Sequence, residues 1–223
     1  MDSVHISLEM PKSAKPPVRE TYRHGDLRRT LLEAGIDLAR AGGPDAVVLR
    51  EATRRAGVAP NAAYRHFASR EALLQAVRAA ALSAVAAAME AELARLAADL
   101  PPADLARASV RAVGTGYLRY AQAEPGLFRT AFAASDKFLK GTPEFPTSGP
   151  GGLNPYELLG AALDKLVQAG VMPPQRRPGA EVLAWSAVHG LAMLVIDGPL
   201  AAPVGPQMYE VGQRLLDMVE KGL

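Results

Sequence analysis

The sequence predicts an all-α fold, divided into a small N-terminal and a larger C-terminal helical domain. Ala, Leu, Arg and Glu dominate the composition and aromatic residues make up only 5%, which favours helices over sheets. Apolar residues recur at helical spacing between breaks made by Gly and Pro. Apolar and polar residues do not alternate for long enough to build a sheet, so the sequence predicts helices alone.

The composition is that of a protein with a buried core. Hydrophobic residues make up 49% of the 223 and charged residues 22%. The absence of cysteine excludes a disulfide framework and a thiolate metal site. The first 20 residues lack the apolar core of a secretory signal, and the most apolar stretch, residues 79–89, is shorter than the roughly 20 residues of a membrane span. We therefore expect a soluble, cytoplasmic protein.

Basic charge is concentrated at the N-terminal end. Residues 1–78 contain 13 Lys and Arg against 9 Asp and Glu, whereas residues 79–223 contain 12 against 14. A basic end on a near-neutral body suggests that this end meets a polyanion, although the same imbalance is common among unrelated proteins.

The N-terminal part contains a predicted basic tail followed by four helices. Residues 1–20 carry three prolines without apolar periodicity and are predicted to be a flexible tail. Gly42 ends the first helix, a proline suits the start of the third, and Ser69 caps the fourth, which Pro101 closes. The helices are expected at about 26–41, 49–56, 60–67 and 70–100.

The C-terminal part is predicted to contain five further helices and one long loop. Residues 134–152 are rich in Gly and Pro, and a loop of this length is usually functional or disordered. The helices are expected at about 103–121, 127–133, 154–170, 179–197 and 206–221.

Residues 48–74, VLREATRRAGVAPNAAYRHFASREALL, form a predicted helix-turn-helix. Gly57 lies in the tight turn, where a side chain would be penalised, and Ala52 and Val58 let the two helices approach closely. The second helix can then enter the major groove of DNA with its first residues facing base edges. Plain core packing of a helix pair is the alternative, about equally favoured on spacing alone.

The exposed residues of this motif have the chemistry of DNA recognition. Asn61 suits an adenine edge and Ala62 a thymine methyl. The remaining side chains suit phosphate oxygens, although Arg54 and Arg55 fit a solvated face equally well. The candidate DNA-contacting residues are Arg50, Thr53, Asn61, Ala62, Tyr64, Arg65, His66 and Arg70. We expect Phe67 in the core and Tyr64 partly exposed.

This segment closely resembles the DNA-binding signature of TetR-type (tetracycline-repressor-like) regulators. The shared elements are Gly57-Val58, an aromatic-x-His-Phe at residues 64–67 and Ser-Arg-Glu-x-Leu at residues 69–73. HGDLRRTLLEAGIDLARAGG, residues 24–43, looks like the first helix of that family, so the match covers about residues 22–78. The two helix caps that are often Ser or Thr are Leu49 and Ala59 here, which removes a capping hydrogen bond from each.

A second resemblance lies in the C-terminal part. GYLRYAQAEPGLFRTAF, residues 116–132, and WSAVHGLAMLVIDG, residues 185–198, look like a TetR-type subgroup named for a Trp-His-Gly motif. The resemblance implies a ligand cavity in this domain, although any single lining residue could simply fill the core. The candidate effector-binding residues are Tyr117, Tyr120, Phe128, Phe132, Trp185, His189 and Met193.

After the predicted tail at 1–20, the resemblance implies a three-helix helix-turn-helix DNA-binding domain at 21–68 and an effector-binding and dimerisation domain at 69–223. The expected function is a repressor that binds a pseudo-palindromic operator as a homodimer and is released by a small apolar or amphipathic effector. The helices at 154–170 and 179–197 would form the four-helix dimer interface. Its apolar surface would come from Leu158, Leu159, Ala162, Leu166, Leu183, Val188, Leu191 and Val195.

Other functional classes have weaker support in the sequence. The four histidines show no metal-binding spacing and no Gly-rich phosphate loop occurs, so we expect no metal, no cofactor and no enzyme activity. His189 fits a core histidine better than a ligand contact. The alternatives left open are an all-α small-molecule-binding protein or enzyme with an incidental basic end, and a dimeric adaptor without duplex affinity.

Overall fold

A computed structural model describes residues 24–133 and 145–222, and over these ranges the chain contains helices and no strands. The all-α prediction is confirmed. The predicted tail at 1–20 and the first part of the predicted loop at 134–152 lie outside the described residues. The α-helices are α1 His24–Gly42, α2 Leu49–Arg55, α3 Pro60–Tyr64, α4 Arg70–Leu93, α5 Pro102–Ala123, α6 Pro125–Phe132, α7 Pro155–Gln168, α8 Ala180–Ile196, α9 Ala201–Val204 and α10 Met208–Gly222.

Helix ends differ from the predictions mainly where proline is involved. α4 ends at Leu93, well before Pro101, and the proline pair instead opens α5 with Pro102 in its first turn. α6 likewise begins at Pro125, two residues before the predicted start. Proline has no N–H to donate, so the first turn of a helix accepts it without losing a hydrogen bond.

The helices of the described ranges enclose two hydrophobic cores. The head core lies among α1, α2, α3, the first half of α4 and α6, and its largest buried side chains include Leu31, Phe67 and Leu73. The C-terminal core lies among the second half of α4, α5, α7, α8 and α10, and contains Tyr117 and Phe128. α4 therefore runs through both cores and connects them mechanically.

α4 is also long and apolar enough to cross a membrane by length and composition alone, as is the bent pair of Ala180–Ile196 with Ala201–Gly222. More than half of the apolar window of α4, 56%, is buried inside the protein, as expected of a core helix.

α7 does not supply the predicted dimer surface. Leu183, 67% exposed, and the partly buried Leu191 are the members of the predicted set that reach the surface. Apolar side chains are exposed instead on α10, where Tyr209 is 50% and Met218 62% exposed. The members that are buried within this chain are Leu158, Leu159, Ala162, Leu166, Val188 and Val195.

Candidate DNA-binding surface and apolar cavity

α2, a tight turn and α3 form the helix-turn-helix. Gly57 has φ +67°, a conformation that side chains penalise, and the Val58 N–H donates to the carbonyl of Thr53 across the turn at 3.1 Å. Ala52 and Ala63 are fully buried where the two helices meet. Within the described part of the chain no side chain caps α2 or α3: the cap residue of α3 is Ala59, as predicted, but that of α2 is Val48 rather than Leu49.

The outer side of α3 is open to solvent. Asn61, Tyr64 and Arg65 are exposed, Tyr64 at 56%, while Ala62 and His66 are half-buried at the edges. α3 ends at Tyr64 rather than at Phe67, and the next residues continue as a turn. The five candidates on or just after α3 therefore lie together on a surface that a DNA groove can reach.

The two candidate DNA-contacting residues on α2 differ in their exposure to solvent. Arg50 is exposed, but Thr53 is 2% exposed and its hydroxyl donates to the carbonyl of Arg50 at 2.6 Å. Thr53 therefore lies inside the head core, where it cannot reach a phosphate. Glu51 accepts hydrogen bonds from Arg54 and Arg55, and these bonds lower the pKa of Glu51 to about 2.

Two arginines donate to backbone oxygens on either side of the helix-turn-helix, one just after α3 and one before α2. Arg28 on α1 donates to the carbonyl of His66 at 2.7 Å, and its guanidinium lies 4.8 Å from the ring centre of Phe67. Arg70 at the start of α4 donates to the carbonyls of Val47 and Pro44, each at 2.8 Å. Arg70 is thus tied to the segment before α2, with 44% of its side chain exposed. Arg28 was not predicted, because its partner lies 38 residues away in the sequence.

An aromatic cluster joins α5, α6 and α8. The Trp185 indole N–H donates to the Tyr117 hydroxyl at 3.0 Å, and that hydroxyl lies 2.8 Å from Nδ1 of His189. The Tyr117 oxygen accepts from Trp185, and its own proton can be donated to Nδ1 in the His189 tautomer that carries the proton on Nε2. Burial raises the pKa of Tyr117 and lowers the pKa of His189, so both groups are neutral near pH 7. The ring centres of Phe132 and His189 lie 5.0 Å apart.

Beside this cluster lies a cavity with about 530 Å³ of free space, part of it open to solvent. Tyr117, Phe132 and Trp185, three of the candidate effector-binding residues, line it together with Tyr156 and Leu159 of α7, which were not among the candidates. The rest of its wall is apolar and comes from Met89, Val110, Val113, Gly114, Pro155, Ala184, Val188, Leu216 and Val219. Such a cavity suits an apolar molecule with few polar groups.

The other four predicted effector-binding residues lie around the cavity or away from it. Phe128 is fully buried behind Tyr117, and His189 borders a shallow depression beside Trp185. Met193 packs on the C-terminal core, and Tyr120 lines a separate cleft. Among the described residues no group of His, Asp or Glu could hold a metal ion.

A helix-turn-helix with the outer side of α3 exposed is the arrangement of a DNA-binding protein. Two family models identify the class of protein. Residues 31–77 match the model of bacterial regulatory proteins of the tetR family, and residues 110–219 match the tetracyclin repressor-like C-terminal domain. The chain belongs to the TetR family, whose members are DNA-binding transcription regulators, usually repressors, rather than enzymes.

Solved structures share the fold over most of the chain. A protein of unknown function from Rhodococcus sp. RHA1 is 25% identical with a TM-score of 0.70, over 92% of this chain and 99% of that one. The TetR-family regulator PfmR from Thermus thermophilus is 23% identical with a TM-score of 0.56, over 86% and 98%. A TetR variant from Acinetobacter baumannii AYE in complex with minocycline is 18% identical with a TM-score of 0.54, over 87% and 94%. No curated protein matches the chain.

Proposed function

We propose that this chain is a cytoplasmic repressor that binds a pseudo-palindromic operator as a homodimer and is released by a small apolar effector. The observation that carries the proposal is the exposed outer side of α3 on a helix-turn-helix frame. On this proposal residues 21–68 bind DNA, and residues 69–223 bind the effector and the second protomer. The chain would belong to the subgroup with Trp185, His189 and Gly190 as its motif.

DNA recognition would be divided between base edges and phosphates. Asn61 and Ala62, in the first turn of α3, would face bases, and Tyr64, Arg65 and His66 would contact phosphates. Arg50 would add a contact from α2, and the exposed part of Arg70 another. One short helix buries too little surface for tight binding, which favours two reading helices per operator.

The dimer surface would be formed by α8 and α10 rather than by α7 and α8. Leu183 and Leu194 of α8 are 67% and 45% exposed, and Met218 of the neighbouring α10 is 62% exposed. Between the two leucines lies Gly190, where a Cβ would meet no atom of the described residues within 4 Å. Glycine in a helix interior lowers stability, and a partner helix that approaches closely at this point would account for it.

The effector would act through α6. Phe132 of α6 lines the cavity, and the other side of the helix packs against the head: a Cβ on Gly126 would lie 2.4 Å from the carbonyl of Ala39. Arg78 of α4 donates to the carbonyl of Ala131 at 3.1 Å. A ligand that displaces Phe132 would therefore shift α6 against α1 and α4. Its preference for that shifted state would weaken operator binding, typically by about 1–3 kcal/mol.

Selection from a pool of random duplexes tests the function. We expect enrichment of an inverted repeat whose half-sites lie about one helical turn or slightly more apart. Compounds that lower affinity for the selected duplex should lose this effect in Trp185→Ala, which alters the cavity and leaves α3 intact. Enrichment of no common sequence would contradict operator binding.

Sedimentation velocity tests the dimer surface. The double variant Leu183→Arg/Leu194→Arg places four charges against one another across the two-fold axis, so we expect monomers and weak operator binding. Leu153→Arg is the matched control, because Leu153 is an exposed leucine, at 37%, outside α8 and α10. A double variant that sediments as the wild type does would rule out this surface.

A further inference from the structure

Residues 145–154, here called the strap, lie along α4 between the head core and the aromatic cavity. The Ser83 hydroxyl donates to the carbonyl of Ser148 at 2.7 Å, and the carboxylate of Glu90 accepts from the N–H of Gly151 at 3.1 Å. Ser83 and Glu90 lie about two turns apart on α4, so the strap follows this helix away from the head. The strap therefore has a defined place on α4.

The first residue of the strap, Phe145, packs on the head core. Its side chain is half-buried, and its ring centre lies 6.3 Å from that of Phe67, with 28° between the ring planes. The guanidinium of Arg28 lies 4.9 Å from the ring centre of Phe145 and 4.8 Å from that of Phe67. The cation is thus attracted to the faces of both rings, and the three side chains form one group.

This group contacts the turn that follows α3. Arg28 donates to the carbonyl of His66 at 2.7 Å, and the N–H groups of His66 and Phe67 each donate to the carbonyl of Ala63 at 2.9 Å. A long side chain that is already confined loses less rotamer entropy when it forms a hydrogen bond. Phe145 confines the guanidinium of Arg28 and so strengthens its bond to His66.

The other end of the strap is attached to the wall of the aromatic cavity. Asn154 caps α7 by accepting from the N–H groups of Tyr156 and Glu157, at 2.9 and 3.0 Å. Pro155 and Tyr156, the next two residues of the chain, line the cavity. One short stretch of chain therefore joins the cavity wall to the side chains that contact the turn after α3.

We propose that Phe145 is a positioning residue for α3, and that the strap, which holds Phe145 in place, couples α3 to the cavity wall by a path separate from α6. The proposal rests on the proposed function in that α3 contacts DNA there. Loosening the strap releases the ring of Phe145, so that Arg28 bonds to His66 for less of the time and the turn after α3 opens more often. A duplex binds the closed turn, so its affinity falls with the closed population.

Amide hydrogen exchange of the free full chain, resolved by NMR, tests the proposal without DNA. The reporters are the N–H groups of His66 and Phe67, whose exchange rates measure how often the turn after α3 opens. Phe145→Ala should raise both rates about fivefold or more, and Phe145→Leu, which keeps apolar bulk but has no ring, about twofold or more. Met172→Ala is the control for a general loss of stability, because Met172 is buried in the C-terminal core. It should lower the thermal midpoint and leave both rates unchanged.

Two variants of α4 test the strap itself. Glu90→Ala removes the acceptor of the Gly151 N–H, toward the cavity end of the strap, and should raise the two exchange rates about twofold or more. Glu92→Ala is the matched control, since Glu92 lies on the same helix but pairs with Arg95 and Arg119 instead. Added to Phe145→Ala, the Glu90→Ala change should have no further effect, because both act through the same ring.

Duplex titrations of the same variants separate this proposal from the proposed function. Phe145→Ala and Glu90→Ala should weaken binding of the selected duplex about threefold or more, well below the temperature of unfolding. If the wild type binds no duplex, the proposed function fails, and the exchange rates alone decide whether the strap positions α3. Unchanged rates in Phe145→Ala or Glu90→Ala, an equal rise in Met172→Ala, or raised rates with the duplex affinity of the wild type would overturn the proposal.

Discussion

The head core and the C-terminal core are built from different side chains. Around Phe67 the head core is filled with Leu, Val and Ala, and the helix that it supports is only five residues long. The C-terminal core contains a cluster of aromatic rings beside a cavity. Tight packing fixes the position of a short helix, whereas a cavity leaves room for a ligand and for movement. The contrast suggests that one region presents a fixed surface and the other changes shape.

Polar side chains bond to different kinds of partner in the two regions. In the head, Arg28 and Arg70 donate to backbone carbonyls and so fix the main chain before α2 and after α3. In the C-terminal core, Tyr117, Trp185 and His189 bond to one another through side chains. Side chains change rotamer more readily than the main chain moves, so a ligand can rearrange the second network at lower cost.

The same substitution in the two cores should therefore have different effects. Phe67→Ala leaves a hole in a filled core and should lower the free energy of unfolding by about 3–5 kcal/mol. Phe132→Ala enlarges an existing cavity beside a partly exposed ring, and we expect about 2 kcal/mol. Urea unfolding of both variants provides the measurement. Equal losses would mean that the two cores are packed alike.

Removing the guanidinium of Arg28 should destabilise the head core without disturbing the C-terminal core. Arg28→Met loses the bond to His66 and the contact with Phe67, so we expect a loss of about 1–3 kcal/mol in the free energy of unfolding and weaker duplex binding. Arg29→Met is the control, since Arg29 is 71% exposed and pairs with Glu33 one turn away, a contact worth less than about 0.5 kcal/mol. If Arg28→Met and Arg29→Met give the same results in urea and duplex titrations, Arg28 does not hold the main chain after α3 in place.

The contact of Arg28 with the carbonyl of His66 is one that the sequence could not predict. Local signals sufficed for the helices, the Gly57 turn, the Ser69 cap and the buried Phe67. Burial of Thr53 was missed because helical spacing does not show which side of α2 meets α1. The cavity wall from Tyr156 and the separate cleft at Tyr120 depend on packing between distant helices, which no local pattern encodes.

The aromatic network offers a smaller test. Tyr117→Phe removes the hydroxyl that links Trp185 to His189 and leaves the ring nitrogens of these two half-buried residues without that partner. We expect a loss of about 1–2 kcal/mol in the free energy of unfolding, with duplex affinity in the absence of effector unchanged. Denaturation and duplex titration of one preparation provide both values. A fall in duplex affinity would mean that the C-terminal network also positions α3.

The smallest expected effect is on the pH dependence of the free energy of unfolding. Because burial lowers the pKa of His189 below its ordinary 6.5, the unfolded chain binds a proton more readily than the folded one. The stability due to neutral His189 is complete above pH 6.5 and falls as the pH drops below it, by at most about 1.4 kcal/mol per pH unit. His189→Asn should remove this component when stability is compared between pH 7.5 and pH 5.5. A variant that retains the full slope would assign it to other groups.

The proposed function requires the side chains on the outer side of α3 to contact duplex DNA. The most direct test is the salt dependence of binding to the selected duplex, measured for the wild type and for Arg65→Ala. Each lost phosphate contact lowers the slope of log K against log salt by about 0.9, so a dimer should lose nearly 2. Arg95→Ala, at the far end of α4, should leave the slope unchanged. An Arg65→Ala protein with the affinity and slope of the wild type would contradict the claim.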